Sequence, residues 1–398
     1  MSGASPSPGT TGAGAARLRL FNFRNYAELT LELGPALNVF VGENAQGKTN
    51  LLEAVATLLL TRSPRTSVTT ELLRWGSDEA AVDAVLTRGS VTEALALRMR
   101  RVHDAPSAPP GDSEPPSRIA RTTSSDGHPV APRDLIGRWP VVLFWPDDLQ
   151  LVKAGPEARR RLLDILVAQL DRTTADELIR YRRVLEQRNS LLRRLRTGGG
   201  SAPDHLRTFD DALVRHGASI QVARAALVGA LAPLAAAALA EISAARDTLE
   251  MRYAPQSGAP VGGVDEAAAA LRAALARARS EELARGVTLV GPHRDDLELS
   301  VNGRLARTAA SQGQQRSAVL ATKIAEVRLL EARSERMPIL LLDDVLSELD
   351  SRRRESLLGA LSADRGGPQT LVTCSDDSHF DGHPSRRFRV SQGTVVPR

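Results

Sequence analysis

Apolar positions near the start of the chain recur with a period of two. Leu18 and Leu20 alternate with arginines, and Leu29, Leu31 and Leu33 repeat the pattern after a polar break. Such alternation predicts two paired strands around a turn, with order beginning near Arg17. A short apolar strand over 38–41 follows, then a glycine-rich loop, then residues 50–60, whose apolar content suits a buried helix. Later apolar runs over 141–144, 338–342 and 370–373 read as further strands.

Between these runs the pattern changes. From Pro156 to about Ala284 the chain is rich in Ala, Leu and Arg at helical spacing. Leu178, Tyr181, Leu185, Leu192 and Leu195 follow a three-and-four spacing broken by Arg188, which predicts a short coiled-coil-like hairpin. A Gly/Ala/Pro stretch over 255–263 precedes another Ala/Arg helix, and from Thr288 strand-like and helix-like segments alternate again. The economical architecture is an α/β head, a mixed sheet with helices, formed by both chain ends around an inserted α-helical arm. The expected divisions are 16–150 and 285–398 for the head and 151–284 for the arm. Residues 1–15, all small or polar after the first Met, predict a disordered extension. Residues 103–133, rich in Pro, Ser, Gly and charge, predict a flexible loop.

Composition narrows the class. A chain of 398 residues that is 42% hydrophobic can bury a full core, which excludes disordered and fibrous proteins. Lys and Arg number 52 against 47 Asp and Glu, so the formal charge of +5 suits a polyanionic partner without requiring one. The single cysteine, Cys374, permits no internal disulfide or cysteine zinc cluster and fits a reducing, cytoplasmic setting. The longest apolar candidate for a membrane span, 225–240, contains Pro233, and residues 1–15 lack the basic and apolar regions of a signal peptide. No membrane partner is expected.

Gly42-Glu43-Asn44-Ala45-Gln46-Gly47-Lys48-Thr49 is an unbroken P-loop pattern between the predicted strand and helix. Gly42 and Gly47 permit the turns that aim backbone N–H groups at ATP phosphates. Lys48 should reach the β- and γ-phosphates, and Thr49 should ligate Mg²⁺. The loop needs an acidic partner, and the apolar run 339–342 ends in Asp343-Asp344. Asp343 would hold Mg²⁺, and Asp344 could orient or deprotonate the attacking water. The same pair read alone could be a helix N-cap.

The segment Ala310-Ser311-Gln312-Gly313-Gln314-Gln315 is similar to the ABC signature at Ser311, Gly313 and Gln314. Ser311 then resembles an N-cap that presents a hydroxyl and N–H groups to a phosphate; a cap that merely stabilises its helix is the alternative. Ser347-Glu348-Leu349-Asp350 resembles the D-loop of the same class. The strand 371–375 lacks the switch histidine of transporter ATPases, so hydrolysis is expected to be slow.

Several further runs, in this order, resemble the RecF family of bacterial recombination and repair proteins over nearly the whole chain: 20–26, 47–54, 146–152, Gln187-Arg188-Asn189, Gly291-Pro292-His293-Arg294-Asp295-Asp296-Leu297, 311–316 and 342–350. The resemblance implies an ATP-dependent homodimer on double-stranded DNA and on gapped or junction DNA. It also implies action with RecR and RecO to load RecA in recombinational repair and replication restart, with a link to SOS induction. Trp145 and Asp147 depart from the family pattern, which leaves the Q-loop residue unassigned. An ATP-binding scaffold with little hydrolysis and a transporter ATPase subunit are the rival readings. His293 with Asp295 and Asp296 suits a turn better than a metal site. Arg159-Arg160-Arg161, Arg182-Arg183 and Arg193-Arg194 are candidate phosphate contacts or simply solvated helix faces. An aromatic content of 3% argues for contact with a duplex backbone over base stacking.

Overall fold

Leu18 and Leu20 are wholly buried while Arg17 and Arg19 beside them are exposed, so the period of two is realised as strand β1 (Ala13–Phe23). The computed structural model describes residues 13–103, 117–197, 203–258, 262–334, 336–350, 353–355, 357, 359 and 367–398. After β1 come β2 (Tyr26–Glu32), β3 (Leu37–Val41), α1 (Lys48–Leu60), β4 (Glu79–Arg88), β5 (Val91–His103), β6 (Ser117–Ser125), β7 (His128–Val130), α2 (Pro132–Leu135) and β8 (Val141–Phe144). Next are α3 (Gln150–Lys153), α4 (Pro156–Leu170), α5 (Arg172–Arg196), α6 (Pro203–Ser243), β9 (Leu249–Ala254) and α7 (Val264–Arg285). The chain continues through β10 (Asp296–Val301), β11 (Arg304–Leu305), α8 (Ala306–Ala309), α9 (Gln312–Ser334), β12 (Ile339–Asp343), β13 (Thr370–Cys374), β14 (Ser385–Ser391) and β15 (Thr394–Pro397).

Two compact units result, one from residues 1–146 and 330–398, the other from 147–329. In the first, an antiparallel sheet ordered β2-β1-β4-β5-β6-β7 accompanies a second sheet ordered β15-β14-β3-β13-β12-β8. The second sheet is parallel except for its edge strand β15, and its central strands are buried along their length. Helix α1 touches strands of both sheets. Leu51 to Leu60 are all buried, the mark of a helix enclosed on every side. Buried Gln369 joins the sheets as well: its side chain accepts from Ala15 N (2.7 Å) and donates to the carbonyls of Ala15 (2.7 Å) and Gly34 (2.6 Å).

The second unit packs α5, α6 and α7 around Tyr181, Leu213, Ile220, Leu271 and Leu275. The expected two-helix hairpin is thus a three-helix core. Arg188, which breaks its apolar spacing, is fully buried and bonds Asp210 (2.8 Å), Thr288 (2.8 Å) and Glu282 (2.6 Å). A small sheet ordered β11-β10-β9 completes this unit.

Four boundaries differ from expectation. The head sequence resumes at 330, because β10 pairs with β9 of the second unit instead of extending the head. The region 103–133 is largely sheet where described: β6 pairs with β5 from Leu95↔Ser125 to His103↔Ser117, its polar residues tolerated on an antiparallel sheet with one solvated face. Residues 104–116 lie outside the described set. Strand β1 starts at Ala13, inside the expected disordered extension, of which 1–12 lie outside the described set. Finally, Pro233 does not end its helix. Helix α6 runs 41 residues through it, and the buried Leu231, Ala235, Ala238 and Leu239 around the proline offset the lost backbone bond. Leu206–Ser243 is therefore long and apolar enough to cross a membrane by length and composition, contrary to the sequence reading. Here it packs on α5, α7 and β9 and carries the buried Arg224 and Gln221.

Candidate nucleotide site

The turn between β3 and α1 is built to leave N–H groups pointing outward. Gly47 has φ 111°, and a Cβ there would stand 2.4 Å from the Asn25 amide; a Cβ on Gly42 would stand 2.3 Å from the Val390 carbonyl. Both positions therefore require glycine. Ala45 also takes a left-handed conformation, φ 64°. Glu43, Asn44 and Ala45 form the exposed crest of the loop. Its flanks are pinned: Gly42 N–H donates to the Cys374 carbonyl (3.2 Å), Tyr26 Oη to the Gly47 carbonyl (2.9 Å), and the Gln46 carbonyl accepts from Asn25 (3.2 Å) and Gly393 (3.2 Å). No side chain caps α1, so its first N–H groups and its dipole face the loop's concavity. Lys48, buried at the helix start, bends back onto the carbonyls of Gly42 and Glu43.

Thr49 Oγ1 donates to the Asp343 carboxylate, 2.9 and 2.8 Å from its two oxygens. Residues 294 positions apart thus meet where β12 ends beside α1. Thr373, on the adjacent β13, donates to Asp343 Oδ1 (2.7 Å) and accepts from the Asp344 N–H (3.0 Å). Burial pushes the Asp343 carboxyl above its usual range, against hydrogen bonds from Thr373 and Thr49 and the charge of Arg65. A buried carboxylate beside a threonine hydroxyl is a hard-oxygen pair that fits a divalent cation such as Mg²⁺. Asp344, just past the strand, is held in a left-handed conformation at φ 49°.

Sequence reasoning missed the supports of this site. Glu53, in the helix that opens with the P-loop, is fully buried and accepts from Arg24 (3.0 and 2.8 Å), Arg65 (3.0 Å) and Ser63 (2.6 Å). Its position inside an apolar helix was the available signal. Thr373 was read only as part of a strand. Cys374 is the last residue of that strand, buried, with its thiol pushed up to about 12 chiefly by burial.

Ser311, Gly313 and Gln314 lie in the second unit and are not brought to the P-loop by that unit's own fold. Ser311 N–H donates to Gln314 Oε1 (3.0 Å), and Gln314 N–H donates to Ser311 Oγ (3.2 Å), a reciprocal capping box at the start of α9. Gln314 also donates to Asp247 (2.8 Å). Both readings of the segment are compatible with this: the cap exists, and its serine is exposed.

The Gly291–Asp296 run is a structural knot. Pro292–Arg294 forms a 3-10 turn, as the sequence suggested. His293 accepts from Tyr181 Oη through Nδ1 (2.7 Å) and donates from Nε2 to the Thr288 carbonyl (3.1 Å), so both nitrogens are engaged. Burial lowers its pKa to about 4 and keeps it neutral. Asp295, fully buried, accepts from Gln221 (2.9 Å), Tyr253 and the Gln256 N–H (2.7 Å).

A model of the AAA domain matches residues 17–103. The DNA replication and repair protein RecF of Symbiobacterium thermophilum is 42% identical over 385 residues, covering 95% of this chain and 97% of that one. RecF of Chloroflexus aurantiacus is 41% identical over 398 residues, covering 95% and 98%. The structure of the recombination mediator protein RecF with ATP, of the RecFOR pathway, superposes with a TM-score of 0.85 at 29% identity, covering 98% of this chain and 99% of that one. An Smc head domain bound to the C-terminal winged-helix domain of ScpA shares the fold, with a TM-score of 0.52 at 14% identity over 96% of this chain and 97% of that one.

Proposed function

This chain belongs to the RecF family of DNA replication and repair proteins, an ABC-type ATPase fold, and from that premise we propose that it is an ATP-operated clamp on double-stranded DNA. The observation that carries the proposal is the meeting of Thr49 and Asp343 beside an uncapped helix start. ATP phosphates lie along the N–H groups of Gly42 to Thr49, and Lys48 leaves the Gly42 and Glu43 carbonyls for the β- and γ-oxygens. Thr49 and Asp343 would hold Mg²⁺, which would neutralise phosphate charge. Asp344 orients or deprotonates water. Ser311, Gly313 and Gln314 of a second copy cover the nucleotide, so ATP makes a homodimer and hydrolysis releases it.

On this reading the dimer closes on duplex DNA near single-strand gaps or junctions in the cytoplasm, and with RecR and RecO it promotes RecA loading and normal SOS induction. An ATP-binding scaffold that scarcely hydrolyses is the second reading, favoured by the short aspartate side chain at 344 where many ABC ATPases carry glutamate. A transporter subunit is set aside by the family to which the chain belongs.

Mass in solution, with and without ATP, Mg²⁺ and a short duplex, tests the clamp against Lys48→Ala. Wild type should double in mass and retain DNA with ATP, and the variant should do neither. A wild type that stays monomeric with both ligands overturns the proposal. Phosphate release under the same conditions separates clamp from scaffold.

A further inference from the structure

The run Arg159-Arg160-Arg161 is one patch of charge in the sequence, yet the folded chain gives its members different work. Arg159 is 4% exposed; it grips both oxygens of Asp296 (2.7 and 2.9 Å) and donates to the carbonyls of Leu151 (2.9 Å) and Ala154 (3.0 Å). It is spent on the fold. Arg161 is engaged within the fold as well. Arg160 instead borders a cavity of about 400 Å³ lined by Pro156, Arg160, Gln256, Glu281, Leu289 and Arg294.

Three of the carboxylates around this cavity are in ion pairs. Asp296 belongs to Arg159, Asp164 to Arg224 (2.6 Å), and Glu281 to Arg285 (2.7 Å). Asp295 accepts from Tyr253, Gln221 and Gln256. The side chains of Arg160 and Arg294 donate to carbonyls, Asp295 O at 2.9 Å and Thr288 O at 3.4 Å. A carbonyl orients a guanidinium without neutralising it, and each retains further N–H donors. Burial, then the charge of Arg224, lowers the Arg160 pKa; Asp296 and Glu157 oppose this, and Arg294 adds to it. The two guanidiniums thus share one concavity, and the acids acting on Arg160 there are Asp296 and Glu157.

Two oriented guanidiniums in one concavity match the oxygens of a phosphate. The cavity wall contains no aromatic ring, so it offers nothing on which a base could stack. We propose that Arg160 and Arg294 form a phosphate-binding site that grips a backbone phosphate of duplex DNA. The site deepens the clamp reading and rests on it. It converts one ambiguous basic run into a single contact shared with the family-specific Gly291–Asp296 segment.

The test compares the salt dependence of duplex binding, with ATP and Mg²⁺, in full-length wild type, the double variant Arg160→Gln/Arg294→Gln, and Arg252→Gln, which removes an exposed charge paired with Glu298 elsewhere in the same unit. Loss of one phosphate contact should reduce the slope of log K against log salt by about 1. The ATP-dependent mass should be unchanged, Arg252→Gln should keep the wild-type slope, and Arg160→Lys/Arg294→Lys should recover most of it. Should the double variant misfold by circular dichroism, Arg294→Gln alone, at an exposed residue with one long contact, gives the same comparison. Phosphorus NMR with inorganic phosphate runs in parallel. If phosphate binding is lost while the DNA slope stays at wild type, the pocket takes a free phosphate and the DNA assignment is wrong. If neither changes, or if Arg252→Gln loses as much, the site is overturned while the clamp survives. If wild type retains no DNA at all, clamp and site fall together.

Discussion

Glu53 shows how much of this protein rests on single buried charges. It neutralises Arg24 and part of Arg65 from within an otherwise apolar helix, and removing one partner of such a group costs about 3–5 kcal/mol because the other charge stays behind. Glu53→Ala should accordingly shift the urea midpoint of the first unit sharply, and Glu53→Gln should shift it less. If Lys48 turns to the ATP phosphates as proposed, Lys48→Ala should remove hydrogen bonds to charged groups worth roughly 1.5–3 kcal/mol, about ten- to hundredfold in ATP affinity, which calorimetry would read. His293 is a pH-sensitive residue of the second unit. Its folded pKa of about 4 lies below the 6.5 of the unaltered group. Between those values the unfolded chain binds more proton, so stability falls as pH drops from 6.5 towards 4. His293→Gln should flatten that part of the stability profile. The turn before α1 and the strand that ends in the acidic pair were legible because their patterns are local in sequence. Glu53, Thr373 and the Arg160–Arg294 pair were not, since their meaning comes from partners 10 to 135 positions away.

At the scale of elements, strands β3, β8, β12 and β13 of the parallel sheet were readable because they are buried and their runs are largely apolar, whereas β14 of the same sheet, with alternating arginines and exposed positions, was not. Strands β4 to β7 were not, because an antiparallel sheet with one wet face mixes polar residues such as Thr, Ser and Arg among its apolar ones. The arm misled in a different way. Arg188 looked like a break in a two-helix seam, and it is instead the polar centre that locks α5 to Asp210 and Glu282. The capping box of α9 separates two roles that sequence left open. Ser311→Ala should cost about 1 kcal/mol of stability as a lost cap. If Ser311 also covers a second copy's nucleotide, the same variant should bind ATP normally as a monomer yet fail to double in mass. A variant that loses stability and still dimerises would leave Ser311 as a cap only.

For the molecule as a whole, the division into units carries a consequence for how it is made. Strand β3, which leads into the P-loop, has β13 and β14 as its two sheet neighbours, and Ala15 waits for Gln369, 354 positions later. On a ribosome adding 5–20 residues per second, the ATP site lacks its flanking strands for on the order of 20–60 s after Thr49 is joined. The second unit is one continuous stretch, complete before synthesis reaches the strands that β3 needs. A nascent chain arrested before residue 370 should therefore display a protease-resistant 147–329 segment and no ATP retention. Nucleotide binding then reports that the last strands have been delivered, and on the clamp reading an incomplete chain would not close on DNA.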